Sequence, residues 1–184
     1  MSEYISCAAT AKLVRVALKK AFPAVKFSVR SDTYAGGASI RVKWLDGPLA
    51  KEVEAVAKAY SSGGFDGSID LKYSSDEWLM PDGSVFAAKS RGTEGSMGYV
   101  SAYDYPAPGP GAKLVHFGAD YVFCNREISA ATYTAAAAKV CSDYGIELPE
   151  IEVFKDGTAT VPYKIMVGRD YLAALINREL HKAA

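Results

Sequence analysis

The chain has 184 residues, 49% of them hydrophobic, enough to bury a core as one domain or as two small halves. Its 21 basic and 21 acidic residues cancel, and its 3 cysteines (Cys7, Cys124, Cys141) lack any CxxC spacing, which argues against a disulfide framework or a structural zinc site. No window approaches the ~20 apolar residues that span a bilayer, and the start, MSEYISCAAT, shows no basic segment followed by an apolar run, so neither a membrane partner nor an export signal is expected and a reduced cytoplasm is the expected compartment.

Ser6 to Phe22 reads as a helix stopped by Pro23, with Ala9, Leu13, Val16, Ala17 and Lys20 sharing its expected inward face. Lys12, Arg15 and Lys19 share another face, either a solvated surface or a binding stripe. Lys26–Arg30 and Ile40–Trp44 alternate between apolar and polar residues, the mark of half-buried strands. Ser31–Ala38 between them holds Asp32, Gly36 and Gly37, so a hairpin is expected. Paired, the strands would set Arg30, Arg41 and Lys43 together on the polar face with Lys26.

These residues expose an asymmetry that the balanced total hides. Residues 1–45 hold 8 basic residues against Glu3 and Asp32, a local balance of +6, which leaves −6 for the remainder. Two readings stay open. The basic half presents a face to nucleic acid or to an acidic protein surface, or the two halves neutralise each other internally.

Asp46-Gly47-Pro48 reads as a helix start, with Leu49, Val53, Val56, Ala57 and Tyr60 as its buried stripe and Ser61–Gly64 as its end. A turn at Phe65-Asp66-Gly67 leads to a strand over Ile69–Tyr73. Ser74–Lys113 reads as irregular, with a turn at Pro81-Asp82-Gly83 and an extended Gly/Pro connector. Within it, Tyr99, Tyr103 and Tyr105 share one face if extended, as a contact surface or as part of a core. Trp78 is expected to be exposed and adds a candidate contact.

Leu114–His116 and Tyr121–Cys124 read as strand segments around a bend at Gly118. Ser129 caps an alanine-rich helix over Ala130–Tyr144 that ends at Gly145. Ile151–Phe154 and Thr158–Tyr163 read as a hairpin, and Asp170 caps or leads a terminal helix. The expected fold is α+β, with helices packed on short antiparallel sheets. Two α/β halves, 1–73 and 114–184, are joined by an irregular middle, 74–113.

Chemistry is sparse. His116, Asp120 and Cys124 share a strand parity, but eight residues of strand separate His116 from Cys124 by about 26 Å, beyond hydrogen-bond reach. The carboxylates Asp66, Asp70, Asp76 and Glu77 lack the EF-hand spacing, and the glycines form no phosphate cradle. No catalytic group, metal site or cofactor is expected.

The segments SVRSDTYAGGASIRVKWLDGP, FDGSID and HFGADYVFCNREIS, with the closing order of helix, YGIELPEIEV, hairpin and helix, resemble the large polyvalent protein-associated domain family. The resemblance runs from about Cys7 to about Leu180. That family occurs in proteins of plasmids, phages and integrative elements, so the resemblance implies a protein acting inside a bacterial host. It implies no particular reaction. It implies an accessory or counter-defence factor that binds a host defence protein or ribonucleoprotein, such as a CRISPR effector. Two alternatives stand beside it: a nucleic-acid-binding module using Lys12, Arg15, Lys19, Arg30, Arg41 and Lys43, and a cysteine-dependent enzyme centred on Cys124. In the first reading Tyr99, Tyr103 and Tyr105 anchor the partner while Arg30, Arg41 and Lys43 steer its approach.

Overall fold

The computed structural model describes residues 2–88, 106–162 and 164–182. The fold is α+β, with four α-helices and several short, mostly antiparallel sheets among the described residues. The chain divides into two compact units: Met1–Trp44 with Ala50–Asn125, and Leu45–Leu49 with Arg126–Ala184. The strand segments flanking Gly118 group with the first unit.

In the first unit, α1 (Cys7–Ala21) starts at Ser6, whose hydroxyl accepts the Ala9 N–H at 3.3 Å, and ends before Pro23. Its inward face differs from the expected one. Cys7, Thr10, Ala11, Val14 and Leu18 are buried, whereas Val16 is 68% exposed. Both stripes fit a helical period, and the one that includes the small polar Thr10 is the one that packs.

The hairpin β2 (Ser28–Tyr34) and β3 (Gly37–Leu45) forms as expected, but longer, around the two-residue turn Ala35-Gly36. Gly36 takes φ +87°, which a side chain would oppose. Lys26 lies before the strand, off the face where it was expected. Helix α2 (Ala50–Ala57) begins after Pro48, and its buried Val53 and Ala57 join Tyr60 in the core.

The expected strand over Ile69–Tyr73 is shifted. β5 (Leu71–Ser74) pairs with β4 (Gly63–Asp66), a strand formed where a helix end and turn were expected. The region 74–113 also departs from the irregular reading. β6 (Asp76–Leu79) and β7 (Val85–Ala88) pair around the Pro81-Asp82-Gly83 turn, where the Asp82 carboxylate accepts the Ser84 N–H at 3.0 Å. With β8 (Lys113–Phe117) and β1 (Glu3–Ile5) they make a four-stranded sheet in the order β1-β8-β6-β7, β1 running parallel to β8. A second sheet has the order β2-β3-β9, with β9 spanning Tyr121–Glu127. Val14 and Leu18, Ile40, Val42 and Trp44, Val53, Val115, Phe117 and Val122 form one apolar core beneath both sheets.

The second unit holds α3 (Ala130–Tyr144), capped by Ser129 and closed by Gly145 at φ +64°, as the sequence predicts. Two-residue strands β10 (Glu152–Val153) and β11 (Ala159–Thr160) form the expected hairpin in shortened form, and Tyr163 lies outside the described residues. β12 (Met166–Val167) and β13 (Asp170–Tyr171) precede α4 (Leu172–Leu180). Asp170 leads α4 without capping it. Its carboxylate accepts from both terminal nitrogens of the Arg178 guanidinium, at 2.9 and 3.2 Å. Asp46, expected to start α2, instead accepts the Ser129 N–H at 2.9 Å and so serves α3. Ala137, Val140, Val161, Leu172 and Ile176 pack at this unit's centre.

Candidate functional site

The β2–β3 hairpin buries Val29, Ile40, Val42 and Trp44 against the core. Alternation then turns Arg30, Asp32 and Tyr34 of β2, and Arg41 and Lys43 of β3, to the opposite, open face. The register sets Arg30 directly opposite Arg41 and Ser28 opposite Lys43. Like charges directly opposite are destabilising. Asp32 relieves one of them, accepting from Arg41 at 3.4 Å, while Arg30 has no ion-pair partner among the described residues.

β9 extends this face. Val122 is buried in the core and Cys124 packs against it, so Tyr121 and Phe123 project from the other side, beyond Arg41 and Lys43. Their ring centroids lie 6.1 Å apart. Phe123 and Tyr34 are each 49% exposed. One open sheet face therefore carries cations on β2 and β3, aromatic rings on β9, and another ring at the hairpin end.

Asp120 fastens this arrangement. Its carboxylate accepts the Ala38 N–H at 3.1 Å and the Lys72 ammonium at 2.9 Å, so β3, β5 and the start of β9 meet at one group. The hydrogen bond to Asp120 holds Lys72 above the ordinary lysine range, and its ammonium sits 5.9 Å from the Tyr121 ring centroid. A side chain at Gly37 would overlap the Asp120 carboxylate and press on the Tyr34 ring at 3.0 Å, and one at Gly63 would meet the Asp120 carbonyl at 2.6 Å.

The other expected residues separate. Lys12, Arg15 and Lys19 are exposed on α1. Arg15 donates to the Val29 carbonyl at 2.8 Å and lines, with Lys19, Lys26 and Phe27, a basic cleft of 330 Å³. Trp78 is half-buried in β6, opposite Phe86 and Leu114, because the middle region is sheet where a loop was expected. Tyr99, Tyr103 and Tyr105 lie outside the described residues. Sequence reasoning missed Tyr34, Lys72, Tyr121 and Phe123, and weighed Asp120 only beside His116 and Cys124. The alternation of β9 carries the signal of Tyr121 and Phe123, but only the sheet order shows which face they join.

His116 and Cys124 occupy different sheets. His116 Nδ1 lies 3.0 Å from Asp76 Oδ1, and its ring stacks on Tyr4 at 6.0 Å. Burial, with Glu54 adding and Lys58 opposing, pushes the Cys124 thiol up to about 11. An apolar groove of 530 Å³ runs between α1 and α2, lined by Leu13, Val16, Ala17, Val56 and Ala59. Among the described residues, no three His, Cys, Asp or Glu side chains are grouped to hold a metal ion, and no helix is long and apolar enough to cross a membrane.

The family model for Large polyvalent protein associated domain 29 matches residues 5–129. The chain belongs to this family. The matched stretch contains the whole Arg30–Arg41–Phe123 face and its Asp120 clasp, and it stops short of α3. Membership in the large polyvalent protein associated domain 29 family points to a mobile-element-associated protein. No curated protein and no solved structure matches the chain.

Proposed function

We propose that this chain is a mobile-element accessory protein that carries out no reaction of its own and acts by direct binding to a host defence complex, in a counter-defence role of the anti-CRISPR or anti-restriction type. The observation that carries this reading is the open β2-β3-β9 face, where Arg30 and Arg41 stand in register beside exposed Phe123. Arginine and aromatic side chains dominate binding hot spots, and a concentrated positive face accelerates encounter with a negative partner. The protein keeps an uncompensated charge on this face at a cost to its own stability, which an anionic partner would relieve. A cysteine-dependent reaction is disfavoured, because a thiol near 11 is almost wholly protonated at neutral pH.

The test is capture from a bacterial lysate with the full chain and with an Arg30→Ser/Arg41→Ser variant of unchanged circular dichroism. The wild type should retain a defence nuclease or effector complex, identified by mass spectrometry, and the variant should lose it. Equal retention by both, or no defence component with either, would overturn the reading.

A further inference from the structure

We infer that the open β2-β3-β9 face is a platform for single-stranded nucleic acid, which the chain uses to grip the exposed strand of its target. This rests on the reading above, that the face is the binding surface, and names what it touches. Single-strand recognition needs rings on which unpaired bases stack and cations that follow the phosphate backbone, presented side by side on an accessible surface. Tyr121 and Phe123 provide adjacent rings, 6.1 Å between centroids and 32° between planes. Tyr34 adds a further exposed ring on the same face, across the sheet. Arg30, Arg41 and Lys43 form the cationic half next to them.

The layout discriminates among occupants. A duplex keeps its bases stacked internally, so it would use the cations and leave the rings idle. An acidic protein would satisfy the arginines and can pack its own side chains on the rings, but it offers no repeating phosphate with a planar base at each step. A single strand uses both halves, and its phosphates relieve the Arg30–Arg41 repulsion that Asp32 alone leaves standing. Because every base has a π-face on which these rings can stack, the expected binding is tolerant of sequence.

The experiment is fluorescence anisotropy of the full chain with one mixed sequence in three forms: single-stranded RNA, single-stranded DNA and duplex DNA. Tight binding of either single strand, with the duplex clearly weaker, is the expected result. Phe123→Ser, at an exposed position, should weaken single-strand binding about tenfold and leave duplex binding unchanged. Arg30→Ser should lower the salt slope by about 0.7, the share of one phosphate contact on a single strand. No single-strand binding at low salt would overturn the inference, as would equal affinity for duplex that Phe123→Ser does not alter. If single strands fail to bind while the Arg30→Ser/Arg41→Ser variant still loses its captured complex, this inference alone falls and the face is a protein-binding surface. If that variant keeps its complex, the earlier reading falls.

Discussion

Arg30 lies directly across the β2–β3 hairpin from Arg41, two guanidinium groups in register on the open side of one sheet. Among the described residues, only Arg41 of the two reaches a carboxylate, that of Asp32 at 3.4 Å. Folding alone gains nothing from this pairing, so it is where stability and binding should separate. Arg30→Thr is expected to leave stability unchanged or to raise it by about 0.5 kcal/mol, since cross-strand charge pairs contribute roughly 0.2–1 kcal/mol and Thr suits a strand. Urea unfolding at low and high salt checks this. The gain should shrink as salt screens the repulsion, while partner binding falls at either salt.

Asp120 is the structural counterpart. Asp120→Ala removes the acceptor of the Ala38 N–H and the partner of Lys72 together, and should cost about 1.5–3 kcal/mol in chemical denaturation. Asp120→Asn keeps an acceptor and removes the ion pair, so it should cost less. Because Lys72 is raised by its hydrogen bond to Asp120, the pair's contribution is complete below the ordinary lysine value of about 10.4 and is lost as pH rises through the higher folded value. Stability curves of the wild type and Asp120→Asn should therefore converge at strongly alkaline pH.

Cys124 should be a poor nucleophile. With the thiol raised from 9.0 to about 11, its thiolate fraction at neutral pH is about a hundredfold below that of an ordinary thiol. Peptide-resolved mass spectrometry after iodoacetamide treatment should show slow labelling at neutral pH that accelerates towards pH 11. Labelling at the rate of a free thiol would contradict the burial that the structure gives this residue.

In the second unit, Asp46 closes the start of α3 by accepting the Ser129 N–H. Burial works to raise its carboxyl, but the Ser129 and Thr132 hydrogen bonds and Arg126 outweigh it and hold it below the ordinary range. Its contribution is thus full above the ordinary aspartate value of about 3.9 and lost as pH falls through the lower folded value. Asp46→Ala should destabilise α3 by about 1 kcal/mol near neutral pH, read as faster amide exchange over residues 130–144, with the difference vanishing in acid.

Local signals survived the step from sequence to structure. Ser129 and Gly145 bracket α3, and the alternation of Arg41, Val42, Lys43 and Trp44 marks β3. What escaped was short and non-local. β1 is three residues long and pairs Glu3 with Val115, and β6 joins β8 through Glu77 and Val115. A strand of that length carries too little pattern to stand out, and its partner sets it more than its own residues do. Helix α1 offered two overlapping apolar stripes, and only packing decided between Val14 and Val16. The candidate site divided in the same way. Its basic half sits on one alternating hairpin and was legible. Its aromatic half comes from β9, distant in sequence, and appears only once the order β2-β3-β9 is known.

The most direct test is hydroxyl-radical footprinting of the full chain, free and with the host complex it captures. Tyr34, Tyr121 and Phe123 should lose reactivity in the complex, while exposed Val16 in the α1–α2 groove keeps its own. Protection of Val16 and its groove with the three rings unchanged would place recognition on the wrong side of the molecule and contradict the account.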